Sequence, residues 1–309
     1  MLWRANMTAP FGPLLFGHDF ACCGDTQVQS ISWVVGFTFV FLVMWSNKIL
    51  SPLKHLAVYF HELSHAVAVA LSCGKVKDIE VHYSSGEHGG GVTHHVGGVA
   101  CCIVPAGYVG CGLWGLAMIV GSADELGSLV VIGLMCSFLA LGLCFAGNGF
   151  LRCLLLGFLT LFAGFWAVQH YFQVRVMSRA LLTIGTFISL DAVSNVWHDS
   201  HHEKGSDYER CARMTHCSAS FCAALWALTS LCWLALAIFL NLYLNSPARG
   251  LPAHASMEDL DVGWEALSYG TRAGVAFPAI AFAVWVCWAV FKCRNRTHRD
   301  PLSYALIGR

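Results

Sequence analysis

Charge is scarce in this chain. Only 12% of its 309 residues are Asp, Glu, Lys or Arg, divided equally between the two signs, whereas a soluble domain carries about 25%. That shortage argues against a soluble enzyme of ordinary composition. With a net charge of zero, nothing points to a nucleic-acid partner, and none is expected. Zinc-finger spacing is missing as well, because none of the 15 cysteines forms a C-x-x-C pair. Most of them, such as Cys101, Cys102, Cys111, Cys136, Cys144, Cys222, Cys232 and Cys287, fall in apolar runs. There a thiol behaves as a small hydrophobe, so neither a disulfide framework nor a structural zinc is expected. No basic stretch followed by an apolar run and a small-residue cleavage site opens the chain, so no signal peptide is read either.

What is abundant is apolar. Hydrophobic residues make up 57% of the chain and the mean hydropathy is +0.61, which marks an integral membrane protein held in a lipid bilayer. The expected fold is an all-α polytopic membrane protein of about eight transmembrane helices, each long enough to cross a core of roughly 30 Å. The runs are 28–47, 52–73, 99–120, 126–146, 150–168, 176–197, 217–244 and 272–291. Residues 1–27 read as an N-terminal tail, 28–291 as a single transmembrane domain, and 292–309 as a basic tail. Residues 198–213 read as a polar loop. Lys292, Arg294, Arg296 and Arg299 place the C-terminus in the cytoplasm by the excess of positive charge on that side.

Between the second and third runs the period changes. Ile79-Glu80-Val81-His82-Tyr83 alternates apolar with polar, and after a Ser-Ser-Gly turn comes Gly89-Gly90-Gly91-Val92-Thr93-His94-His95-Val96. This predicts a short β-hairpin inserted after the second helix. Its histidines, His82, His88, His94 and His95, read either as solvated loop residues or as a second metal site.

The chemistry concentrates in Phe60-His61-Glu62-Leu63-Ser64-His65-Ala66. On a helix, His61 and His65 lie one turn apart on one face, the spacing with which two imidazoles grip one Zn2+ ion. Glu62 beside them is placed to serve as general base on a water. Such groups deep in a membrane span are costly unless they line a wet cavity or bind something. A third ligand is then needed. Asp191 is the carboxylate inside a later span. Counted at about 1.5 Å per residue, it lies about 22 Å deep against about 20 Å for His65, while Asp199 lies at about 34 Å, near the membrane edge. Depth favours Asp191, with Asp199 as the alternative. Asn195, one turn beyond Asp191, is expected to hydrogen-bond the site or a substrate backbone.

With these motifs the chain resembles the peptidase M50B-like family, related to site-2 proteases. The resemblance rests on the block 60–66, on Gly90-Gly91-Val92-Thr93-His94, on Pro105-Ala106-Gly107-Tyr108-Val109-Gly110, and on 185–207, which ends in Ser206-Asp207. These blocks follow the family's order over roughly residues 55–215. The resemblance implies a membrane zinc metallopeptidase with His61 and His65 as ligands and Glu62 as catalytic base. The chain departs from the family in the later span, where members carry an aromatic-Asp-x-x-Asp-Asp stretch. Aligned on Gly185, Asn195 and His198 replace two of those aspartates and Asp199 keeps the third.

The expected function is zinc-dependent endoproteolysis of a membrane protein substrate, in or near the bilayer. Gly90, Gly91, Val92 and Thr93 would hold the unwound substrate chain extended by adding a strand. The alternative is a catalytically inactive pseudoprotease that binds or chaperones membrane proteins. A transporter is a weaker reading, since no inverted repeat is seen. Substrate identity, organelle and oligomeric state are not legible in the sequence.

Overall fold

The computed structural model describes residues 24–83, 90–172, 174–199 and 206–245, excluding the side chains of 195–199. Within these residues the chain forms helices α1 (Asp25–Val43), α2 (Ser51–Leu71), α3 (Ala100–Gly121), α4 (Glu125–Phe145), α5 (Gly149–Phe172), α6 (Val176–Asp199), α7 (Asp207–Thr215) and α8 (Ala219–Leu244). Strands β1 (Lys75–His82) and β2 (Gly90–Val96) intervene between α2 and α3. Six helices, α1, α3, α4, α5, α6 and α8, are long and apolar enough to cross a membrane. The polytopic α-helical architecture with one small hairpin therefore holds. The eighth expected span, 272–291, lies outside the described residues.

The second expected span is α2, and it differs from the other six. Its 21 residues include Lys54, His55, His61, Glu62 and His65, and most of its side chains are buried inside the bundle. Polar groups lower its hydropathy, and neighbouring helices instead of lipid cover them. Pro52 stands in its first turn, where a missing N–H costs nothing. Lys54 places its ammonium 4.7 Å from the centroid of the Trp45 ring, a cation–π contact that favours burying the charge. The helix stops at Cys73, which takes a left-handed φ of 61°, and Gly74 N–H returns to Val69 C=O at 2.8 Å.

The core lies where α2, α4, α5 and α6 meet. Tyr59, Phe60, Met135, Leu139, Leu151, Leu155, Phe187 and Ile188 are fully or almost fully buried there. Tyr59 donates its hydroxyl to the Phe138 carbonyl at 2.7 Å, so the one polar atom on that ring is satisfied.

β1 and β2 pair antiparallel, with Ile79 opposite Thr93, Glu80 opposite Val92 and Val81 opposite Gly91. Ile79 and Val81 are buried while Asp78, Glu80 and His82 lie on the other face, as the alternating pattern requires. The sheet is pinned to the α4–α5 junction: Gly147 N–H donates to Ile79 C=O at 2.8 Å, and the Asn148 amide donates to Val81 C=O at 2.8 Å.

One expectation fails here. The stretch 198–213 is not all loop, because α7 starts at Asp207. Ser206 caps it, accepting from Glu209 N–H at 3.4 Å. Ser206 and Glu209 have the S-x-x-E spacing of a helix start.

Candidate metal centre

The i, i+4 spacing on α2 brings the two imidazoles together as expected. His61 Nε2 and His65 Nε2 are 3.0 Å apart. The His65 Nδ1 atom lies 2.7 Å from the Ile103 carbonyl of α3. A carbonyl only accepts, so Nδ1 carries the proton, and in the neutral ring Nε2 has its lone pair turned inward, the orientation that a metal-ligating histidine needs.

The third group at this point is Asp207. Its Oδ2 lies 2.9 Å from His65 Nε2 and 3.2 Å from His61 Nε2. Burial opposes ionisation of this carboxyl. Hydrogen bonds from His61 and His65, and the charge those rings carry when protonated, outweigh it and hold Asp207 well below the usual carboxylate range. Its place at the N-terminus of α7 also favours negative charge. Arg210, one turn on, stands 3.9 Å from the other carboxylate oxygen.

Two features hold α7 in place. Tyr208 is 1% exposed and packs with Tyr108 of α3 and Trp226 of α8, with centroids 5.0 and 5.2 Å away. Cys211 of α7 is joined to Cys222 of α8 by a disulfide. The cysteine spacing predicts no such bond, because it depends on a helix in a stretch whose polarity predicts a loop.

Glu62 is buried on the same helix. The Thr93 hydroxyl of β2 lies 2.7 Å from its Oε2 and 2.9 Å from its main-chain oxygen. Gly91 makes this approach feasible: a Cβ there would meet Glu62 Cγ at 2.6 Å and Val58 at 2.7 Å. Gly107 does the same for the imidazoles, since its Cβ would fall 2.6 Å from His65 Nε2.

A cavity of about 310 Å³ joins these groups. His61, Glu62, His65 and Asp207 line it, as do Gly90, Gly91, Val92, Thr93 and Asp191. All four expected strand residues are thus brought to the cavity. Asp191 is 4% exposed and sits in the wall, but the close group of potential ligands is His61, His65 and Asp207, without Asp191. Asn195 and Asp199 belong to the last turns of α6, and their side chains lie outside the described residues. Asp207 is not among the ligands expected from the sequence. The signal was available in the S-x-x-E pattern, which starts a helix inside an otherwise polar stretch.

The donor set fits a zinc ion. Two imidazole nitrogens and a carboxylate oxygen converge at about 3 Å from one another. The His65 nitrogen and the Asp207 oxygen are both acceptors, and only a cation or a proton between them makes that close approach favourable.

The sequence pattern of the peptidase M50B-like family matches residues 33–237. No curated protein and no solved structure matches the chain.

Proposed function

Because the chain belongs to the peptidase M50B-like family, we propose that it is an intramembrane zinc-dependent endopeptidase that cleaves a peptide bond in or near the bilayer. The observation that carries this reading is the convergence of His61, His65 and Asp207 beside a buried Glu62, in a half-polar cavity of a membrane protein. His61, His65 and Asp207 would hold the metal, and when bound zinc supplies a Lewis acid that polarises the scissile carbonyl and acidifies water.

The chain's own residues do the rest. Glu62 takes a proton from the attacking water and delivers it to the leaving amine. The Thr93 hydroxyl fixes one Glu62 oxygen, leaving the other for the water. His65 is held in its tautomer by the Ile103 carbonyl. A transmembrane substrate helix must unwind before its carbonyls are free. β2 has β1 on one side and no other strand beside it among the described residues, so its outer edge can pair with an extended substrate.

Glu62→Gln tests this reading. The imidazoles and Asp207 are untouched, so zinc should stay bound while hydrolysis of a co-expressed membrane substrate falls by about two to four orders of magnitude. If the variant sustains the wild-type cellular function, the protein acts by binding and the enzymatic reading is lost.

A further inference from the structure

The hairpin has a second set of ligand-type side chains on the face turned away from Glu62. Asp78, Glu80 and His82 follow one another on that face of β1, and His94 stands directly opposite Asp78 on β2. This opposition depends on a bulge. Val76 pairs with His95 and Asp78 with His94, so Lys77 is an extra residue on β1. In a regular ladder Lys77 would face His94. A one-residue bulge re-aims the side chains that follow it, and here it puts a carboxylate in place of an ammonium.

The distances are those of an incipient site. His82 Nε2 is 3.2 Å from Glu80 Oε2, and His94 Nε2 is 3.8 Å from Asp78 Oδ1. Potential ligand atoms of Asp78, Glu80 and His94 all lie within 4.8 Å of one another. Two donors each about 2.1 Å from a tetrahedral zinc are about 3.4 Å apart, so small rotations close the set. Asp78 Oδ1 is shut off from solvent and has no hydrogen-bond partner, an arrangement that costs free energy unless a cation takes it. Ion pairs this open to solvent contribute little, so the present pairings do not hold the side chains back. β1 beneath them is fixed by the bonds its carbonyls accept from Gly147 N–H and from the Asn148 side-chain amide.

We propose that this face of the hairpin is a second binding site for a divalent transition-metal ion, with Asp78, Glu80 and His94 as ligands and His82, which stands beside Glu80, turning in as the fourth. Two imidazoles and two carboxylates suit zinc in its closed, four-coordinate form, with no position left for water. The ion cross-links β1 to β2, and the opposite face of β2 carries the Thr93 hydroxyl that touches Glu62. Occupancy therefore stiffens the strand that positions the proposed base.

The experiment is a zinc count on the detergent-purified full chain after exhaustive dialysis, combined with calorimetric Zn2+ titration. Wild type should hold two zinc ions, His61→Ala/His65→Ala one, Asp78→Asn/His94→Ala one, and the fourfold variant none. His82→Gln, a mild change at an exposed position, should weaken the hairpin site at least tenfold in the His61→Ala/His65→Ala background. The proposal is overturned if His61→Ala/His65→Ala binds no zinc, or if its remaining zinc survives Asp78→Asn/His94→Ala. A single wild-type zinc that is lost only with Asp78→Asn/His94→Ala would uphold the hairpin site and sink the catalytic centre instead.

Discussion

Two aspartates border the same cavity and arrive there by opposite routes. Asp191 sits two-thirds of the way along α6, a helix long and apolar enough to cross the membrane, and is almost fully buried. Asp207 is the first residue of a nine-residue polar helix outside the apolar runs. Yet Asp207 is the one whose oxygen reaches both imidazoles. Depth along a span places a residue in the bilayer, but it does not say which way the side chain faces or what folds back from a loop. A short capped helix anchored by one tyrosine and one disulfide brings a carboxylate to the two imidazoles from the side.

The sharpest way to break this contrast is to neutralise each aspartate and read zinc. Asp207→Asn removes the charge of a proposed ligand, so zinc affinity should drop by more than about 100-fold, beyond what loss of a residue that merely orients a ligand costs. Proteolysis should fall with it. Should Asp207→Asn retain zinc at wild-type affinity while Asp191→Asn loses it, the roles are reversed.

Tyr208→Ala probes the anchor without touching any ligand. Losing a fully buried aromatic costs about 3–5 kcal/mol, mostly at the α7 contact with Tyr108 and Trp226. Zinc affinity should weaken by roughly tenfold as Asp207 loses its fixed position, and Tyr208→Phe should restore it. Equal affinities for the Ala and Phe variants and wild type would show that α7 is held by its disulfide alone.

Asp191→Asn should have the smallest effect. An amide of the same shape keeps the cavity wall packed, and zinc affinity should move by less than about tenfold. Metal analysis of the purified variant decides this, and a loss as deep as that of Asp207→Asn would make Asp191 a ligand in its own right.

The contrast also explains what was legible in the sequence. The bundle was, because helices of about twenty apolar residues declare themselves by length. The hairpin was, because Ile79 and Val81 alternate with Glu80 and His82 at period two. His61, Glu62 and His65 fall within one helical turn, so local geometry alone brings them together. Asp207 is 142 residues away from His65. Its approach depends on Tyr208 finding Tyr108 and Trp226, a tertiary event with no periodic signature. The Cys211–Cys222 bond was hidden for the same reason.

The anchoring of α7 has a kinematic consequence. Asp207 is coupled to α8 through Cys222 and Trp226 and to α3 through Tyr108, while His65 is coupled to α3 through the Ile103 carbonyl. α3 is thus the shared frame for both halves of the donor triad, and a displacement of α7 relative to α2 would pull the triad apart. The rim formed by Gly90, Gly91, Val92 and Thr93 is tied instead to Glu62, through the Thr93 hydroxyl. A polypeptide that pushed this strand aside would therefore disturb Glu62 and leave Asp207 and its anchor where they are.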